Sequence, residues 1–109
     1  MTNDTAMLSE EILEQLYSFE EPLENYLRKE FTALTFDAIL LGGMFSLVES
    51  PPSKLLCVDI RFDELDINSF EPGFLETLRS KTEVFIEKKI MAQNILNKNE
   101  KLVLKTHFK

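Results

Sequence analysis

Leu55-Leu56-Cys57-Val58-Asp59-Ile60-Arg61-Phe62 is the clearest periodic run in the chain. Successive side chains of an extended backbone alternate faces, so Leu56, Val58, Ile60 and Phe62 share one side and Cys57, Asp59 and Arg61 the other. The pattern predicts a strand with one face in a core and one face wet. Immediately before it, Ser50-Pro51-Pro52-Ser53 reads as a rigid loop. Earlier still, Phe36 to Leu41 and Met44 to Glu49 are apolar and flank Gly42-Gly43, a pair suited to a tight turn, which predicts a hairpin.

After residue 62 the texture changes. Asp63 to Phe70 is acidic with apolar anchors at Leu65, Ile67 and Phe70, and Glu71-Pro72-Gly73 reads as a helix entry. From Phe74 onward, Leu75, Leu78, Thr82, Phe85, Ile86 and Ile90 keep helical spacing, and the stripe ends at Leu96. A strand over Val84 to Ala92 is the competing reading of that segment. The consecutive Glu87, Lys88 and Lys89 spoil the alternation it requires, so the helix is preferred. Lys101 to Phe108 alternates again and predicts a terminal strand.

At the amino-terminal end, Leu8, Ile12, Leu16 and Phe19 form an apolar stripe behind two cap candidates, Thr5 and Ser9. Pro22 limits this helix, and Ser18 with Glu21 has capping-box spacing. Leu23, Tyr26, Leu27, Phe31 and Leu34 continue a second stripe to about residue 34. A pair of helices with a bend at Ser18 to Pro22 is expected, or else one kinked helix. The implied order is ααβββαβ: two amino-terminal helices, a three-stranded antiparallel or mixed sheet, a long helix and a carboxyl-terminal strand. This is an α+β class, expected as a single domain over residues 1–109.

Composition bounds the function. The chain has 109 residues, is 44% hydrophobic and 28% charged, and carries a formal charge of −7. A chain of this mass can bury about two-thirds of its surface, and its composition fits a globular class rather than a disordered or disulfide-framed one. The charge is uneven. Residues 1–76 hold 16 acids and 4 bases, a balance of −12, whereas residues 77–109 hold 3 acids and 8 bases, a balance of +5. The acidic total argues against a generic nucleic-acid or anionic-membrane binder. The basic third has little aromatic interleaving for base stacking, and its charges are expected to neutralise the amino-terminal acids. The apolar run Ala38 to Leu41 falls far short of the roughly 20 residues that span a bilayer. With no basic start and apolar block at the amino terminus, and one cysteine, a cytoplasmic protein is expected.

No catalytic constellation, metal site or cofactor is assigned. Cys57 and His107 are the only thiol and imidazole; mid-strand and chain-end placements suit packing and solvent exposure better than a nucleophilic pair. Gly42-Gly43 lacks the context of a phosphate loop. Asp59, Asp63, Glu64 and Asp66 supply carboxylates, yet the sixth position of a calcium loop starting at Asp59 would be Glu64 instead of glycine. Asp59 followed 28 residues later by Glu87-x-Lys89 has the residue types of a metal-dependent phosphodiesterase. Positions 87 and 89 of a helix, however, point about 200° apart.

The remaining expectation is recognition. A small acidic domain attracts a basic protein at long range, while apolar or aromatic anchors supply most of the affinity. An inhibitor, immunity-type or chaperone-type module for a basic partner is the leading reading. Glu20, Glu21, Glu24, Asp63, Glu64 and Asp66 are its partner-binding residues, with Phe19, Tyr26 or Phe70 as anchors. A metal-dependent nuclease-like enzyme and a self-associating structural subunit, such as a homodimer, are the alternatives.

Overall fold

The structure, a computed structural model, describes residues 5–31, 39–47, 54–62, 71–97 and 100–108, and structural statements refer to these. The elements are β1 (Thr5–Met7), α1 (Glu10–Ser18), α2 (Glu20–Glu30), β2 (Ile39–Leu47), β3 (Lys54–Phe62), α3 (Pro72–Ala92) and β4 (Glu100–Phe108). The α+β architecture expected from the pattern is present: two amino-terminal helices, a mixed sheet, a long helix and a final strand. The strands lie in the order β1-β2-β3-β4. The first two pairings are antiparallel and the last, between β3 and β4, is parallel. A parallel pair requires a crossover, and α3 supplies it.

Two strand assignments differ from the sequence reading. Gly42 and Gly43 are no hairpin turn: β2 runs straight through them, with Gly42 opposite Asp59 and Gly43 opposite Val58. Neither glycine has a positive φ, and the antiparallel pairing of β2 with β3 puts the reversal between Leu47 and Lys54. Thr5 is not a helix cap but the first residue of β1, which pairs with Ser46. Three residues are too few to show a period, so β1 leaves no signature in the sequence.

Side-chain alternation organises the rest. Leu56, Val58, Ile60 and Phe62 are buried on one face of β3. The register carries that face across the sheet, through Ile39 and Phe108 beside Phe62, and Leu41 and Thr106 beside Ile60. All three helices contribute to the same core, with Leu16, Leu23, Leu27, Leu78, Ile86 and Ile90 fully enclosed. The opposite face of the sheet carries the exposed Leu40 and Met44.

The helix ends follow local chemistry. Ser9 caps α1, its hydroxyl accepting the Ile12 N–H at 3.3 Å. The two amino-terminal helices meet at a bend on the buried Phe19. Pro22 sits in the first turn of α2, where a missing N–H costs nothing. The Ser18–Glu21 capping box does not form. The cap of α2 is Phe19 without a side-chain bond, and the Ser18 hydroxyl instead donates to the Gln15 carbonyl at 2.6 Å. α2 stops at Glu30, short of residue 34; Leu34 lies outside the described residues.

α3 is one continuous helix through the Glu87-Lys88-Lys89 run. Pro72 opens it at a position that needs no hydrogen-bond donor. At its other end Asn94 takes a left-handed φ of 53°, and Ile95 N–H returns to the Ile90 carbonyl at 3.3 Å. This is a Schellman-type close, with Ile95 and Ile90 both buried.

Candidate functional site

Glu20, Glu21 and Glu24 stand on the first two turns of α2. With Tyr17, Asn25, Arg28 and Ile39 they line one groove of about 430 Å³. A second depression of about 360 Å³ shares Tyr17 and Glu20 and runs on over the β2 edge to Leu40, Gly42, Asp59 and Arg61. The structure therefore brings three of the six expected partner-binding carboxylates together. Asp63, Glu64 and Asp66 lie outside the described residues, as does Phe70.

The three carboxylates are not equivalent. Glu20 accepts the Leu41 backbone N–H at 2.7 Å. β1 pairs only with Met44 to Ser46, so Glu20 covers an edge group of β2 that the short strand does not reach. Glu24 forms an ion pair one helical turn along with Arg28. No hydrogen bond or ion pair engages Glu21 among the described residues. Glu20→Ala is expected to cost about 1–3 kcal/mol, because a partly buried donor loses its acceptor. Glu20→Gln keeps an amide oxygen there and should lose less. Equal denaturant midpoints for the two variants would show that the Leu41 bond does not carry the effect.

The expected anchors need correction. Phe19 is only 4% exposed and belongs to the core. Tyr26 is stacked on Phe85 of α3, with ring centroids 4.9 Å apart, and its hydroxyl donates to Glu30 at 3.3 Å. The aromatic available in the groove is Tyr17, 50% exposed. It lies off the apolar stripe Leu8, Ile12, Leu16 and Phe19, so the periodicity of α1 does not single it out. An aromatic off that stripe, beside Glu10 and Glu14 on the polar side, was the available signal.

Part of the sequence charge asymmetry is resolved inside the molecule. Lys81 of α3 donates to Glu30 of α2 at 3.1 Å. That hydrogen bond and the positive charge behind it hold the Glu30 carboxyl below its ordinary value. The same bond raises Lys81 above its own. The acidic helix pair and the basic third therefore meet at this point.

The chemistry-bearing pairs weighed from the sequence are kept apart. His107 contacts Asp59 Oδ1 at 3.1 Å rather than Cys57. Cys57 lies opposite Val103, four residues before His107 on β4, which places it about 13 Å away along the strand. Asp59 projects from the face opposite the core. Glu83 of α3 reaches Thr106 on the core face, accepting its hydroxyl at 2.7 Å, so α3 and Glu87 lie across the sheet from Asp59. The spacing Asp59, Glu87, Lys89 thus builds no common site. Among the described residues no group of three or more His, Cys, Asp or Glu side chains is arranged to hold a metal ion. Nor, among them, is any helix long and apolar enough to cross a membrane.

No protein-family model matches the chain, and no curated protein or solved structure matches it significantly. The functional reading rests on the residues alone.

Proposed function

We propose that this chain is an acidic protein-binding module, of the inhibitor, immunity or chaperone kind, whose partner is a basic protein. The supporting observation is the convergence of Glu20, Glu21 and Glu24 in one groove with the half-exposed Tyr17. Carboxylates at a groove rim steer a basic surface into register, and a rigid aromatic offers contact area at low entropic cost. Glu21 is the carboxylate free to meet the partner. Glu24 exchanges a surface pair with Arg28, which is worth little in water, for one with the partner. Asp63, Glu64 and Asp66 extend the acidic set in this reading.

The experiment is capture from native cell extract at low and high salt, followed by association kinetics with the purified partner. A basic protein should be retained at low salt and lost at high salt. Glu21→Lys with Glu24→Lys should slow association about tenfold or more and flatten its salt dependence. Association kinetics unchanged in that double variant would overturn the assignment.

A further inference from the structure

The two edges of the sheet are treated differently. On one side β1 and the Glu20 carboxylate cover β2. On the other, β4 pairs with β3 along all nine of its residues, and among the described residues no strand pairs with its far side. A strand paired on one side leaves alternate residues with unpaired N–H and C=O groups, a template for another extended segment. β4 contains neither proline nor glycine to interrupt such pairing.

A groove of about 580 Å³ runs along this edge between β4 and α3. One wall is the core-side row of β4, Leu102 and Leu104. The other is α3, where Val84 and Met91 lie among the charged Glu76, Arg79, Glu83 and Glu87. Val84 and Met91 are 49% and 52% exposed. They are large apolar side chains lining the same groove as Leu102 and Leu104. The outward row of β4 is different: it is Lys101, Val103, Lys105 and His107, in which Lys101, Lys105 and His107 are exposed and Lys101 also borders the groove.

We infer that the β4 edge and the adjoining α3 groove take up an extended segment of a partner protein by strand addition, and that this segment alternates acidic with apolar residues. Charge complementarity selects the occupant. Side chains directly across a strand pair share a face, so the outward positions of the guest that meet Lys101 and Lys105 are acidic. Its inward positions continue the row of Leu102 and Leu104 toward Val84 and are apolar. A second copy of this chain fits poorly. Antiparallel pairing of β4 with itself sets the outward bases of one copy among the same bases of the other, and lysine on an edge strand is a recognised guard against self-pairing. The site is separate from the Glu20 groove and does not depend on the reading given for it.

The test uses the full chain and a blocked peptide of about nine residues in which glutamate alternates with valine, a length matched to β4. Two controls accompany it: the same peptide with lysine for glutamate, and one of the same composition with its glutamates and valines in blocks. Fluorescence anisotropy reads affinity and hydrogen exchange reads location. The alternating acidic peptide should bind, the block peptide should bind at least about tenfold more weakly, and the lysine peptide should not bind. Lys101→Glu with Lys105→Glu should lose about tenfold or more, as should Val84→Asp at the groove wall. Slowed exchange should appear at alternate amides of β4. The proposal fails if the alternating peptide does not bind, or if the block peptide binds equally well. It also fails if protection appears on β2 instead, or if the chain alone shows a concentration-dependent dimer mass that Lys101→Glu alters, which would make a second copy the occupant.

Discussion

Gly43→Ala is expected to destabilise the fold by about 1–3 kcal/mol or somewhat more, while Gly42→Ala stays within about 0.5 kcal/mol of the parent. The two glycines are neighbours in one strand, yet their surroundings differ. A Cβ at Gly43 would press well inside contact distance of the Cys57 carbonyl oxygen and come within 3.4 Å of Val58 Cα. A Cβ at Gly42 meets nothing within 4 Å. The obstacle at Gly43 is backbone of β3, the strand that carries the buried row Leu56, Val58, Ile60 and Phe62, so relief requires the two strands to separate. Against a total stability of about 5–15 kcal/mol, the loss is substantial. Urea or thermal melts of the two alanine variants read it directly, and coincident midpoints would remove the argument for close strand approach.

Phe62→Ala should cost about 3–5 kcal/mol, and Phe62→Leu about 1.5 kcal/mol or less. Phe62 closes β3 at 2% exposure. Its ring stacks on Phe108 of β4 with centroids 5.4 Å apart, and the Arg79 guanidinium of α3 lies 5.4 Å from the Phe108 ring. One column of side chains thus joins the two parallel strands to the helix that connects them. Truncation leaves a void where strand and crossover meet, whereas leucine fills most of it. Equilibrium unfolding of the two variants distinguishes these cases, and a Phe62→Ala loss under about 1 kcal/mol would show that the column contributes little.

What the sequence made legible was whatever has a period. Alternation marked β3 and β4, and the four-residue spacing of Leu78, Thr82, Ile86 and Ile90 marked α3 through a run of charges. What it hid depends on contacts distant along the chain. A glycine pair between apolar runs looks the same whether it turns the chain or lets two backbones approach. The role of Glu20 depends on Leu41, 21 residues away, and nothing local to α2 announces it. The acids of the groove were legible as a cluster; that Tyr17 rather than Phe19 or Tyr26 accompanies them became clear only once the buried stripe was known.

The crossover through α3 also bears on which insertions and deletions the fold can absorb. α3 has 21 residues and β4 nine, so the helix, at about 1.5 Å per residue, returns the chain over about 31 Å, close to the 30 Å a nine-residue strand covers. Adding one helical turn keeps the buried stripe of α3 on its own side and moves the start of β4 by about 5.4 Å, between one and two strand residues. A two-residue slip keeps every side chain on its own face. A single-residue insertion just before β4, if the register shifts by that one step, instead turns Leu102, Leu104, Thr106 and Phe108 outward and Lys101, Val103, Lys105 and His107 toward the core. Length variation in this unit is therefore quantised: whole turns in the helix are tolerable, single steps in the strand are not.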